Sequence, residues 1–198
     1  MSTTYIVDDD TAIRDALLWL FKSRSVPAQA WSSAEAFLSD YSGSMSGCLL
    51  LDIRMTGMTG LELMDQLRTR KCVLPVIFLT GHGDVAMAVS ALKQGAYDFV
   101  EKPFNDNDLV DRVLAALELD ARQRTEQASL VSVEAHMQRL TKREREVMER
   151  ILAGKLNKVI ADELGIATRT VEVHRARLFE KMGVKSAVEL AQLLARRR

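Results

Sequence analysis

The sequence predicts an α/β protein: a doubly wound, five-stranded parallel sheet over residues 1–121, followed by a small all-α domain. Three observations predict it. Short apolar strand-like runs alternate with helical patterns five times over the first 120 or so residues, the signature of a parallel sheet with helices on both faces. Strand-like runs then stop, and residues 139–198 show only short helical periods punctuated by Gly154, Gly165 and Gly183. Charge divides at the same place. Residues 1–120 hold 17 acids and 10 bases, net −7, whereas residues 121–198 hold 10 acids and 17 bases, net +7. A zero overall charge therefore hides an acidic half and a basic half, and a basic half suits a polyanionic partner.

The elements follow in order. YIVDDD (5–10) is a strand closing on acids, and TAIRDALLWLFKS (11–23) places apolar residues at 13, 16, 17, 20 and 21, a helical period. Residues 26–31 form a weak strand, and 33–41 a short helix capped by Ser32 or Ser33. Residues 48–52 are a strong strand ending on Asp52, and 61–70 a helix. PVIFLTG (75–81) is the next strand, and Asp84 caps a helix that ends at Gly95. Residues 97–100 form the fifth strand, and Asp106 or Asn107 caps a long helix from about 108. Residues 122–138 have a thin apolar pattern without proline or glycine and read as helix extension plus linker. Beyond them, Thr141 caps a helix stopped by Gly154, 157–164 is a short helix, and Gly165 is a tight turn. Thr168 caps a helix to 182, and Ser186 caps the last one.

The cysteines, Cys48 and Cys72, have neither metal-ligand spacing nor a disulfide framework. ALLWLF (16–21) is too short to span a bilayer, and the N-terminus lacks a signal-peptide layout, so a soluble, cytoplasmic protein with no membrane partner is expected.

In an open parallel sheet, ligands bind beyond the carboxyl ends of the strands, at the point where strand order reverses. With the order 2-1-3-4-5, Asp8 and Asp9 at the end of the first strand meet Asp52 at the end of the third. Three close carboxylates resist ionising together unless a cation sits among them, and a hard dication such as Mg²⁺ satisfies them. Lys102 adds a fixed positive charge, and Thr80 offers a movable hydroxyl. This set suits phosphoryl transfer with Asp52 as nucleophile.

The motifs VDDD (7–10), LLLDIRM with GMTG (49–60), VIFLTGHGD (76–84) and FVEKPF (99–104) are similar, in order and spacing, to those of the receiver domain of bacterial two-component response regulators. The resemblance covers about residues 3 to 120. It implies Asp52 as phosphoacceptor and Mg²⁺ held directly by Asp9, Asp52 and the Arg54 carbonyl, with Asp8 acting through water. It also implies Lys102 on a phosphoryl oxygen, Thr80 and Phe99 as a switch pair, and a cis bond before Pro103. The family usually carries proline at position 56, where this chain has threonine. Proline would pre-set a backbone angle there. Thr56 is not one of the charged groups and need not touch them, so loop order and metal affinity are what the change bears on.

In the basic half, a short helix, a turn and an arginine-rich helix suit a reader of the DNA major groove. Thr168, Arg169 and Thr170 lie at a helix start suited to phosphate oxygens, while Glu172, Val173, Arg175 and Ala176 are expected to face base edges. Lys155, Asn157, Lys158 and Arg177 can clamp backbone phosphates, and Val171 and Leu178 face the core. Residue types alone leave a protein-binding helical bundle equally open. LTKRE, GKLNKVIADELGI, RTVEVHRARLFEKMGV and SAVEL resemble the LuxR/NarL-type helix-turn-helix, over residues 140–194. A receiver joined to that domain resembles the NarL/FixJ class, nearest the FixJ type. His174 is read as structural or phosphate-facing, His136 as exposed, and His82 as a modulator of aspartyl-phosphate hydrolysis.

These readings make the chain a phosphorylation-activated transcription regulator with three segments: a receiver (1–121), a helical linker (122–138) and a helix-turn-helix domain (139–198). Its expected partners are a histidine kinase, double-stranded DNA and a second copy of itself through the face formed by residues 84–100. It is expected to be a signalling protein that promotes its own phosphorylation and dephosphorylation rather than an enzyme. A haloacid-dehalogenase-like phosphatase needs an acid two residues after the nucleophile, where this chain has Arg54. A constitutive DNA binder with a silent receiver is the remaining alternative.

Overall fold

The structure, a computed structural model, describes residues 2–81 and 85–195. His82 and Asp84, with the roles expected of them, lie outside the described residues. The chain separates into two compact units, Met1–Arg124 and Thr125–Arg198.

In the first unit the strands are β1 (Thr3–Val7), β2 (Ala28–Trp31), β3 (Gly47–Asp52), β4 (Val76–Thr80) and β5 (Asp98–Glu101). They pair in parallel in the order β2-β1-β3-β4-β5, as the sequence predicts. The helices α1 (Thr11–Ser23), α2 (Ala34–Asp40), α3 (Gly60–Thr69), α4 (Val85–Lys93) and α5 (Asp106–Gln138) alternate with them, and α5 continues past the end of this unit at Arg124. β3 and β4 are buried throughout, because parallel strands covered on both faces read as continuous apolar runs. Alternate residues serve the two sides. Val7, Leu49, Leu51 and Phe78 join one core cluster, while Ile6, Leu50, Ile77 and Leu79 join the other.

Caps set the helix starts. Asp10 accepts from the Ala12 amide and begins α1, so the third acid of VDDD is structural. Ser33 caps α2, and Thr59 with Glu62 makes a capping box on α3. The cap of α5 is neither Asp106 nor Asn107 but Asn105, whose Oδ1 accepts from the amides of Asn107 and Asp108. The helix therefore starts about two residues earlier than its apolar pattern suggests. It also runs unbroken to Gln138, because nothing between 122 and 138 stops a helix.

Asp120 of α5 is fully buried. Its Oδ2 accepts from the Gly47 amide (2.8 Å) and the Ser46 hydroxyl (3.0 Å), and Arg124 pairs with both of its oxygens (2.9 Å). Arg124 also donates to the Met45 carbonyl. This group ties α5 to the entry of β3, the strand that ends on Asp52.

The second unit packs α6 (Lys142–Leu152), α7 (Asn157–Leu164), α8 (Thr168–Met182) and α9 (Ala187–Ala195) around Val147, Ile151, Ile160, Val171, Leu178 and Leu190. Thr141 and Glu144 form a capping box on α6. Glu144 is buried and accepts from Lys181 of α8 at 2.7 Å and 3.0 Å. Burial works against its charge, but hydrogen bonds from Lys181 and Thr141 outweigh it and hold its carboxyl below the ordinary value. Thr168 is the first helical residue of α8 rather than its cap; the cap is Ala167, without a side-chain bond.

Asp120→Ala should destabilise the first unit by about 2–4 kcal/mol, because it strips the Gly47 amide and Arg124 of a buried acceptor. Urea unfolding of parent and variant, followed by circular dichroism, measures the shift.

Candidate phosphoryl-transfer and DNA-binding sites

The ends of β1, β3 and β4 bring the predicted residues together. β1 and β3 are adjacent, with Val7 opposite Leu51, so Asp8 follows directly beside Asp52. Ligand oxygens of Asp8, Asp9 and Asp52 all lie within 4.8 Å of one another. Asp8 and Asp52 are buried, at 1% and 7% exposure, and Asp9 is exposed. Lys102 reaches across from the end of β5, and its Nζ donates to Asp8 Oδ2 and Asp52 Oδ1, each at 2.7 Å. The peptide bond between Lys102 and Pro103 is cis, as the resemblance implied.

Electrostatics follow from that geometry. Burial pushes the Asp52 carboxyl up, with Asp8 adding to the effect, while Lys102 and the Arg54 amide oppose it. Burial acts to lower the Lys102 ammonium, but its bonds to Asp52 and Asp8 prevail and raise it. Asp8 is further tied by the Asp10 amide on Oδ1 (2.9 Å), and its carbonyl accepts from Arg14 (2.7 Å). The donor set fits a hard divalent cation. Three carboxylates converge with one lysine against them, and oxygen is the ligand atom such ions take.

Thr80 ends β4 with its side chain fully buried and its Oγ1 without a hydrogen-bond partner among the described residues. A buried hydroxyl ordinarily finds a partner, so this one is available to an incoming oxygen. Phe99, opposite Phe78 on β5, is half-buried against the cluster of Phe78 and Leu51.

The glycines of GMTG have steric causes. A Cβ on Gly60 would stand 2.2 Å from the Asp52 carbonyl oxygen, so only glycine lets α3 start against the end of β3. Gly57 has φ +82° and sits under the Glu35 carboxylate, which accepts from the Met58 amide at 2.9 Å.

Thr56 touches the acid cluster, a contact the sequence did not require: its amide and its hydroxyl both donate to Asp9 Oδ2, at 2.8 Å and 2.9 Å. These two bonds hold the Asp9 carboxyl below its ordinary value. The contact joins residues 47 positions apart, so no local pattern announces it. The Glu35 clamp on the same loop was likewise not foreseen.

In the second unit, α8 buries Val171, Leu178 and Met182 and exposes Arg169, Glu172, Val173, Ala176 and Arg177. Those five fall at helical spacing on one face. Thr168, Thr170 and Lys158 are exposed as well. Arg175 is half-buried on the flank: Nη1 donates to Asn157 Oδ1 of α7 at 3.1 Å, and the guanidinium lies 5.3 Å from the Phe179 ring centre. Arg175 thus braces α7 against α8 and keeps Asn157 engaged, while Lys155 pairs with Glu163. His174 turns a buried Nδ1 inward, without a partner among the described residues, which favours its structural reading.

Lys102→Ala should destabilise the first unit in metal-free buffer by about 1–3 kcal/mol, since it leaves two buried carboxylates facing each other. Mg²⁺ should restore a larger share of the melting temperature in the variant than in the parent. Thermal melts with EDTA and with Mg²⁺ measure both effects.

Comparisons with known proteins place each half of the chain in a family. Residues 4–114 match the response regulator receiver domain, and residues 138–194 match the bacterial regulatory proteins of the luxR family. The chain is 47% identical over 193 residues to the C4-dicarboxylate transport transcriptional regulatory protein DctR of Rhodobacter capsulatus, covering 96% of this chain and 98% of that one. It is 40% identical over 192 residues to the transcriptional regulatory protein FixJ of Bradyrhizobium diazoefficiens, covering 97% and 94%. The solved structure of response regulator StyR superposes with a TM-score of 0.91 at 38% identity, covering 98% of both chains. Full-length FixJ from B. japonicum gives 0.63 at 39%, covering 98% of this chain and 96% of that one. Among the described residues, no helix is long and apolar enough to cross a membrane. The chain belongs to the NarL/FixJ family of two-component response regulators, phosphorylation-activated transcription regulators that join a receiver to a LuxR-type DNA-binding domain.

Proposed function

We propose that Asp52 is the phosphoacceptor and that a histidine kinase is the donor. The observation that carries this is a buried carboxylate at a strand end, bonded to Lys102 and flanked by Asp8 and Asp9. An Asp52 oxygen attacks phosphorus, the bond to the kinase histidine breaks, and an acyl phosphate forms. Mg²⁺ bound by Asp9, Asp52 and the Arg54 carbonyl, with Asp8 through water, would offset the negative charge on the phosphoryl oxygens. Lys102 exchanges its Asp52 contact for a phosphoryl oxygen and keeps Asp8. The Thr80 hydroxyl donates to another, and Phe99 turns toward the space Thr80 vacates. The receiver accepts and loses phosphate by its own residues and acts as a signalling protein.

Phosphorylated chains dimerise through the face of residues 84–100. Val89 and Tyr97 support this reading, since both are exposed apolar side chains there. The receiver spans 1–121, the linker 122–138 and the DNA-binding domain 139–198. The DNA-facing surface is Arg169, Glu172, Val173, Ala176 and Arg177, with Thr168, Thr170 and Lys158 on phosphates. Arg175 and Asn157 contribute from the α7–α8 junction they hold together. A DNA partner supports a cytoplasmic location.

Asp52→Asn should abolish phosphate incorporation from a small-molecule phosphodonor with Mg²⁺, because an amide is not a competent nucleophile. Undiminished incorporation by the variant sinks the assignment, because another residue then takes the phosphate; no incorporation by the parent leaves the constitutive reading. Binding-site selection should show that Glu172→Ala relaxes preference at one base position, at a cost of about 1–3 kcal/mol there, whereas Lys158→Ala weakens all sequences alike. Unchanged selection by Glu172→Ala would move the recognition surface elsewhere.

A further inference from the structure

We propose that Thr56 is a positioning residue for the divalent cation: it grips one oxygen of Asp9 and so holds that carboxylate at the acid cluster. The inference rests on the magnesium reading of that cluster. Asp9 is exposed, unlike Asp8 and Asp52, and Lys102 bonds to those two only. What fixes Asp9 is Thr56, whose amide and hydroxyl converge on the single oxygen Oδ2. An exposed aspartate otherwise samples several rotamers, and ordering it is part of the cost of binding an ion. Two donors on one oxygen remove that freedom beforehand and keep the carboxylate at the cluster.

The same contact works in the other direction on the loop of residues 53–59. A proline at 56 would stiffen this loop through its ring but could not donate from its nitrogen. Threonine leaves the backbone freer, and the loop is fastened instead by side chains. Asp9 holds Thr56, Glu35 holds the Met58 amide, and Glu62 accepts from Thr59. Of these anchors only Asp9 belongs to the acid cluster. A cation that locks Asp9 therefore also locks the loop between the phosphoacceptor strand and α3.

The test uses the full chain with Mg²⁺ alone. Titration calorimetry gives the affinities of the parent, Thr56→Ser, Thr56→Val and Thr56→Pro, and circular dichroism in EDTA checks that each is folded. Thr56→Ser keeps both donors and should bind within about twofold of the parent. Thr56→Val keeps the shape and loses the hydroxyl, and should bind roughly three- to tenfold more weakly, the net scale of one ordinary hydrogen bond. Thr56→Pro loses both donors and should bind at least as weakly as Thr56→Val. Amide hydrogen exchange adds a structural readout, since the Thr56 amide should become more protected when Mg²⁺ binds the parent. Equal or tighter binding by a folded Thr56→Val, or faster exchange at Thr56 with Mg²⁺, would show that the grip competes with the metal and overturn the proposal. Failure of the parent itself to bind Mg²⁺ would overturn the magnesium reading, and this inference with it.

Discussion

The receiver's working end depends on one ammonium group shared by two buried carboxylates. Asp8 and Asp52 sit side by side because β1 and β3 are neighbours at the point where strand order reverses. Both are sequestered from water, so their repulsion is poorly screened. Lys102, carried in from β5 at the far edge of the sheet, offsets both charges at once. The lysine therefore closes the site across three strand ends.

Such an arrangement is stable and also poised. Burial raises Asp52, and the lysine limits that rise, so the carboxylate stays available without being fully satisfied. The Thr80 hydroxyl is likewise buried and unpaired among the described residues. Polar groups left short of partners inside a core cost stability unless a ligand completes them. A group that brought acceptor oxygens to this end of the sheet would supply the partner Thr80 lacks among the described residues, a contact the present state does not make. An allosteric equilibrium moves only by such differential contacts.

The DNA-binding unit is held together by different means. Its core is small, and a buried Glu144–Lys181 pair and the Arg175–Asn157 contact supplement it by joining α6 to α8 and α7 to α8. Arginine serves two purposes on α8: Arg169 and Arg177 are exposed, whereas Arg175 lies over Phe179. Three arginines on one helix are alike in composition and distinct in position, and the helical phase of Val171 and Leu178 separates them.

The amino-acid sequence by itself determined the order and type of the elements, the strand order, and which polar groups reach the strand ends. These depend on local period, on caps and on a topology rule, all carried by residues close in the chain. Asp8, Asp9, Asp52, Thr80 and Lys102 were legible because each ends an apolar run or lies within two residues of its end. Tertiary structure alone decided what each polar group touches. Asp9 with Thr56, Glu35 with the Met58 amide, Asp120 with Gly47, and Arg175 with Asn157 span 47, 23, 73 and 18 positions. Hydrogen bonding requires a donor within about 3 Å of its acceptor, and sequence spacing carries no distance across such gaps. Thr56 looked like a lost proline because the sequence shows only what a residue is; the fold shows that its amide and hydroxyl both donate to Asp9.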